Sequence, residues 1–321
     1  MKSIDELRTL VEQELYSLKY PSSPVDLYSP IEYIMCLGGK RMRPILLLLA
    51  YQLFDKDVQK AIKPSLSIEF FHNFTLLHDD IMDKAPVRRG KATVHAKWNE
   101  NVAILSGDAM LIQSYKYLCD LPSDKLIKCL DVFNKMALQV CEGQQYDMDF
   151  EIQAEVDMES YLKMIELKTA VLLGAALKMG AIIGGSNEKQ SDTLYEFGRN
   201  IGIAFQLKDD LLDVFGDKQS FGKQVGGDII ASKKTCLYLK ALSLTEGKQK
   251  MELVNLYSSQ SLNDIEKVER VKTIYNLMDI KEHIDNLIDY YYSEAIKSLN
   301  FINADLTELK LFASILKKRE N

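Results

Sequence analysis

Three carboxylates stand within five positions at Asp79, Asp80 and Asp83, directly after the apolar stretch Phe74 to Leu77. At about 100° per residue, Asp79 and Asp83 share one face of a predicted helix, with Asp80 beside them. Like charges so spaced repel, so something positive must compensate. A single triad of this kind is more often a solvated acidic face than a site. Here the same spacing recurs at Asp209, Asp210 and Asp213, again among apolar residues. Two such triads supply hard oxygen donors suited to several Mg²⁺ ions that keep waters and share oxygens with a phosphate group. Neither carries the loop glycine and closing glutamate of a helix-loop-helix calcium site.

Bases stand where a diphosphate would need them. Gly38-Gly39-Lys40-Arg41-Met42-Arg43-Pro44 places three cations after a glycine pair that permits a tight turn, and Arg88-Arg89-Gly90-Lys91 follows the first acidic triad. Lys223, Lys233 and Lys234 follow the second. Each basic group taken singly reads as solvated surface. Their repeated pairing with acidic triads suggests a site that takes one diphosphate with metal and another without it, arginine giving forked hydrogen bonds. No Walker-type phosphate loop and no nucleophile elbow is present.

These motifs, with Gly107-Asp108, Lys168-Thr169, Gln206 through Asp213, Gly222-Lys223 and Lys233-Lys234-Thr235, occur in an order that resembles the trans-isoprenyl diphosphate synthases, from about residue 30 to 240. The resemblance implies an all-α bundle with a deep apolar pocket between the two Asp-rich helices, and head-to-tail (1'-4) condensation of isopentenyl diphosphate with an allylic diphosphate. It implies Mg²⁺ ligation by Asp79, Asp83 and Asp209, three ions per site with diphosphate bound and Mn²⁺ as a substitute, while Asp80, Asp210 and Asp213 act through water or a neighbour. Arg88, Lys168, Lys223 and Lys233 resemble the contacts to the allylic diphosphate. Gly39, Lys40, Arg43, His72 and Arg89 resemble those to isopentenyl diphosphate, although a lone histidine on an aromatic helix face is by itself usually a core residue. Thr169 and Gln206 resemble groups lining the carbocation, a shell that Gln144, Gln145 and Asp147 would extend. No side chain is placed as general base, because in the family the departing diphosphate is thought to take the proton. Ser232 stands where a glycine often precedes the last lysine, which leaves open whether Lys233 or Lys234 meets diphosphate.

The elements that must position these residues are helices. All seven prolines lie at or before Pro122, so nothing later forbids helix continuation. Apolar residues recur at three- and four-residue steps over Tyr161 to Ile183, Leu194 to Phe215, Met251 to Tyr257 and Ile280 to Leu299. No strand-like alternation closed by Asn-Gly or Asp-Gly appears, and breaks are expected at Pro21 to Pro30, Gly38 to Gly39, Ala85 to Gly90, Leu121 to Asp124, Gly184 to Asn187 and Gly216 to Gly227. None of these breaks reads as a linker, so residues 1–321 are expected to form one domain.

Composition bounds the rest. With 321 residues, 47% of them hydrophobic, the chain can bury a sizeable core. A net charge of -6 offers no field for nucleic acid or an anionic membrane. Uninterrupted apolar runs fall short of a bilayer crossing and no signal peptide opens the chain, so a cytoplasmic protein without a transmembrane segment is expected. Five scattered cysteines without a Cys-x-x-Cys pair read as reduced thiols, mostly in the core, rather than a zinc site or a disulfide frame.

The family resemblance also implies a homodimer and, through an aromatic five residues before the first Asp, a short-chain product. Phe74 takes that place, and a small Thr75 beside it favours twenty carbons over fifteen. A longer-chain polyprenyl synthase and a non-catalytic regulatory subunit are the alternatives. Both acidic triads are intact, against the second. A terpene cyclase and a squalene-type synthase are disfavoured, the first by the Asp-Asp-Leu-Leu-Asp form of the second motif and the other by the Gly-Gly-Lys-Arg and Arg-Arg-Gly elements.

Overall fold

The computed structural model describes residues 1–216, 226–258 and 263–319. By contact it divides into two compact units, Met1–Asn134 with Ala175–Leu194 and Ala304–Leu309, and Lys135–Gly174 with Tyr195–Asn303 and Lys310–Asn321. The helices are α1 (Ile4–Ser17), α2 (Val25–Cys36), α3 (Met42–Tyr51), α4 (Gln59–Met82), α5 (Val94–Lys97), α6 (Glu100–Lys116), α7 (Ser123–Ile152) and α8 (Met158–Ile165). There follow α9 (Val171–Gly184), α10 (Glu188–Phe215), α11 (Gly227–Ile230), α12 (Cys236–Leu244), α13 (Gly247–Ser258), α14 (Asp264–Leu277), α15 (Ile280–Ser298) and α16 (Thr307–Lys317). Helices α7, α9, α10 and α16 contribute residues to both units.

The helix starts are chemically marked. Ser3 and Glu6 close a reciprocal capping box on α1, Asn99 caps α6 by accepting from the Val102 N–H at 2.9 Å, and Asp157 caps α8 by accepting from that of Ser160 at 2.7 Å. In the first unit α4 is the central helix: Ala61, Ile62, Leu66, Ile68, Phe70, Phe71 and Leu77 are buried around its circumference, and α3 and α6 pack on it. In the second unit Ile203, Leu207 and Leu211 of α10 pack in one core with Leu237, Tyr275, Ile284 and Ile288. Leu207 and Leu211 lie on the inner side of α10, which turns Asp209 and Asp213 off that core.

Of the five cysteines expected mostly in the core, Cys129 and Cys236 are buried while Cys36, Cys119 and Cys141 are exposed. The all-α expectation holds, with three departures in detail. Pro30 sits inside α2 rather than in the expected break, and Pro64 sits inside α4, each early enough that few backbone hydrogen bonds are lost. A two-stranded hairpin, β1 (Val87–Arg88) and β2 (Lys91–Ala92), pairs Arg88 with Lys91 across Arg89-Gly90, which take φ of 52° and 73°. That is the turn conformation usually met with Asn-Gly, here built from Arg-Gly. Third, the helical run Met158–Gly184 is long and apolar enough to cross a membrane by length and composition, which a count of uninterrupted uncharged runs misses; 78% of its most apolar window is buried inside the protein.

Candidate active site

In the first unit, α4 carries the first triad at its C-terminal end. Asp80 is buried and Arg88 clamps it, Nε donating to both carboxylate oxygens at 2.8 and 2.9 Å and Nη2 to Oδ1 at 2.8 Å. Arg88 Nη2 also stands 3.8 Å from Asp79 Oδ2. The hairpin brings this about by folding Arg88 back over the helix end. Burial raises the Asp80 carboxyl above the usual carboxylate range, and Arg88 opposes the rise. Asp83 caps α4 and is exposed, its N–H donating to Asp79 O at 2.9 Å. Asp79 and Asp83 are therefore the more open carboxylates, while Asp80 orders Arg88.

The expected anion corner lies in the same unit. Of its three cations, Arg41 is spent structurally: it is buried in a left-handed conformation, pairs with the buried Glu69 at 2.6 Å and donates to Met35 O at 2.6 Å. Arg43 Nη1 donates to His72 Nε2 at 2.9 Å, which makes that nitrogen the acceptor and the ring neutral. Burial and the nearby Arg43, Arg89, Arg88 and Arg41 guanidinium groups hold His72 well below the usual imidazole range. Arg89 donates to the Gly38 carbonyl, and a Cβ on Gly39, whose φ is +147°, would stand 2.9 Å from its Nη1. The glycine pair thus leaves the space Arg89 fills. Lys40 stands exposed beside it. Arg43, His72 and Arg89 converge as the motif order implied, and Arg41 does not join them.

Phe74 packs edge-on against His78, ring centroids 4.8 Å apart, and against Phe71 at 5.7 Å. Thr75 Oγ1 donates to His72 O at 2.8 Å. Phe70 and Phe71 are buried core aromatics, whereas Phe74 and Thr75 are only partly buried.

In the second unit a cavity of about 330 Å³ is lined by Asp147, Tyr161, Lys168, Thr169, Gln206 and Asp210 together with Asp228 and the segment Ala231–Thr235. Lys168 and Thr169 sit in a π-helical turn, Glu166–Ala170, between α8 and α9. A Cβ on Gly143 of α7 would stand 2.3 Å from the Lys168 backbone N, so that glycine permits the close helix contact at the turn. Lys168 Nζ donates to Asp147 Oδ2 at 2.6 Å, and Thr169 Oγ1 donates to Gln206 Oε1 at 3.2 Å. Gln145, expected near this shell, is exposed and donates to Asp149 at 2.8 Å instead, because its position turns away from the cavity.

The three acids of the second triad have different surroundings. Asp209 pairs with Arg319 at 2.5 Å, whose guanidinium lies 5.2 Å from the Phe205 ring centroid. Asp210 is buried, and it accepts from the Tyr161 hydroxyl, from Gln206 Nε2 at 3.1 Å and from Cys236 Sγ at 3.4 Å. Burial pushes its carboxyl up to about 7 against those hydrogen bonds. Asp213 Oδ2 accepts from the Asp228 N–H at 3.0 Å, which ties down the start of α11. Ser232 takes a φ of 55° where a glycine was expected, and Lys267 Nζ donates to its hydroxyl at 2.6 Å. Lys234 Nζ donates to the carbonyls of Phe150 at 2.7 Å and Gln153 at 2.5 Å, ending α7, and Lys233 and Lys234 both line the cavity. Gly222 and Lys223 lie outside the described residues.

Tyr161, Cys236, Lys267 and Arg319 are the residues that motif reading misses. Each lies at least 26 positions from its partner, and none belongs to a spacing pattern.

Among the described residues no three His, Cys, Asp or Glu side chains form a complete metal cage. Carboxylates that leave coordination positions open fit Mg²⁺, which keeps waters and takes phosphate oxygens rather than an all-protein shell.

Helices throughout and two aspartate triads of one spacing define an isoprenoid-synthase type of protein. The polyprenyl synthetase family model matches residues 24–278, and the chain belongs to that family. It is 34% identical over 320 residues to a geranylgeranyl diphosphate synthase of Methanosarcina mazei, covering 98% of this chain and 96% of that protein. It is 37% identical to a geranylfarnesyl diphosphate synthase of Natronomonas pharaonis, covering 74% and 75%. A crystal structure of a geranylgeranyl pyrophosphate synthase superposes with a TM-score of 0.95 at 42% identity, covering all of both chains. The chain is thus an enzyme, a short-chain trans-prenyltransferase, of a family that uses divalent metal ions.

Proposed function

We propose that this chain condenses isopentenyl diphosphate with allylic diphosphates, head to tail, and releases geranylgeranyl diphosphate. The observation that carries the reading is the second-unit cavity, which Lys168, Lys233 and Lys234 line together with Thr169, Gln206 and the buried Asp210. Cations there suit a leaving diphosphate, and oxygen dipoles suit the carbocation left behind. Asp79 and Asp83 of the first unit and Asp209 of the second would serve as ligands to Mg²⁺, with Mn²⁺ as a substitute, a metal that supplies Lewis-acid stabilisation of the leaving diphosphate. Asp80 holds Arg88, and Asp213 holds the start of α11 ahead of Lys233, each keeping a cationic group or segment in place. Arg43, His72, Arg89 and Lys40, with Gly39 giving room, take the metal-free isopentenyl diphosphate through charge-assisted hydrogen bonds. The proton leaves with the departing diphosphate, so no side chain is assigned as base.

Residues 1–321 act as one functional domain, and the protein works as a cytoplasmic homodimer. Ile104, Leu105 and Ile112 support the dimer: they stand 44%, 59% and 67% exposed along α6. The test is incubation of the purified chain with dimethylallyl and isopentenyl diphosphates and Mg²⁺, with chromatography of the dephosphorylated products. A twenty-carbon alcohol is expected. Products of twenty-five carbons or more would assign it to the longer-chain enzymes, and no condensation by the chain alone would make it a regulatory subunit.

A further inference from the structure

A chain of hydrogen bonds runs Tyr161, Asp210, Gln206, Thr169, and all four residues line the second-unit cavity. Its order decides which way an amide points. Asp210 Oδ2 already receives the Tyr161 hydroxyl and the Cys236 thiol, which leaves Oδ1 for Gln206. A carboxylate oxygen accepts and an amide NH₂ donates, so the nitrogen end of Gln206 is drawn to Asp210 at 3.1 Å. The oxygen end is left on the Thr169 side, accepting from Thr169 Oγ1 at 3.2 Å. An amide carbonyl so held puts its negative end beside Thr169 at the cavity wall, where it would lower the energy of a cation bound near that residue; a reversed amide would put N–H groups there and raise it.

We propose that Tyr161 is a positioning residue for allylic ionisation: with Cys236 it fixes the Asp210 carboxylate, which fixes the Gln206 amide with its oxygen toward Thr169. The inference rests on the prenyl-transfer reading above. Tyr161 is 3% exposed and Asp210 5%, so water cannot readily replace the lost donor. Asp210 on this account orders the amide instead of ligating metal.

The experiment is Tyr161→Phe, which keeps the ring and removes the hydroxyl, assayed beside the wild-type enzyme with both substrates and Mg²⁺ varied. Loss of a hydrogen bond to a buried carboxyl, which then lacks that donor, should lower kcat by about 10-fold. The KM for either diphosphate and the Mg²⁺ half-saturation should stay within about 2-fold, because no diphosphate or metal contact is touched. In a double-mutant cycle, Tyr161→Phe should have little further effect on kcat in a Gln206→Leu background. Should Tyr161→Phe fail to fold by thermal melt, Cys236→Ala removes the other donor to the same oxygen and should give the same kcat-selective loss, smaller in size. An unchanged kcat, a loss carried by KM, or independent effects of the two substitutions would overturn the proposal. Absence of prenyl product from the wild type would overturn the functional reading instead.

Discussion

The acids of each triad differ by what holds them. Asp80 and Asp210 are buried and fully engaged with protein donors, whereas Asp79, Asp83 and Asp209 keep more contact with solvent. Asp79→Asn or Asp209→Asn should therefore cut turnover by several decades, since each removes charge that stabilises the leaving group. Steady-state assays over a Mg²⁺ series check this, and near wild-type rates for both would remove these residues from the metal role. Arg43→Ala deletes a charge-assisted contact worth about 1.5–3 kcal/mol, so the KM for isopentenyl diphosphate should rise at least ~10-fold while that for the allylic substrate moves much less. Equal shifts would mean the two diphosphate sites are exchanged. His72 adds a pH effect. Its folded-state proton affinity is lowered by burial and by the surrounding arginines. The unfolded chain, titrating near ~6.5, binds the proton better, so stability is full above that pH and is lost as pH falls through it. Thermal melts from pH 8 to 5 should show the wild type losing stability below about 6.5, and His72→Asn should flatten that slope.

At the scale of elements, α4 is the clearest link between helix geometry and product. It bears Asp79 at one end and Phe74 about one and a half turns earlier, partly buried between Phe71 and His78. Phe74→Ala should lengthen the product and Thr75→Phe should shorten it, read by chromatography of the chain lengths. An unchanged distribution for Phe74→Ala would place the floor elsewhere. The long helices were legible because prolines end at Pro122 and apolar residues keep helical steps. Local turns were less so. The Arg89-Gly90 hairpin needs a positive φ at an arginine, which its contacts to Gly38 and the Gly39 gap help sustain. The π turn at Lys168-Thr169 reflects the close approach of α7 at Gly143, a tertiary contact with no local signature. The motifs announced the acids and the cations, but not which would be tied to partners within the protein: Arg41 on Glu69, Arg88 on Asp80, Lys234 on the end of α7. Those pairings depend on partners 28, 8 and 84 positions away.

At the scale of the whole molecule, buried apolar surface does not account for every large hydrophobic. On α6 the inner residues Ala103, Ser106, Gly107 and Met110 are buried, while Ile104, Leu105 and Ile112 stand outward and exposed. On an ideal helix these three fall on one face with Asp108, since positions four and seven apart lie within about 40° of one another. A face of that composition on an otherwise charged protein suits a second copy better than water, as removing its area from solvent contributes about 25 cal/mol per Å². The double substitution Leu105→Glu, Ile112→Glu should leave the helix intact, because glutamate is a good helix former and both sites face outward. Its mutual charge across a self-complementary interface should prevent pairing. Sedimentation velocity at micromolar concentration is expected to show the wild type as a dimer and the double variant as a folded monomer. A variant that still sediments as a dimer would place the interface away from this face of α6, and a monomeric wild type would end the dimer assignment altogether.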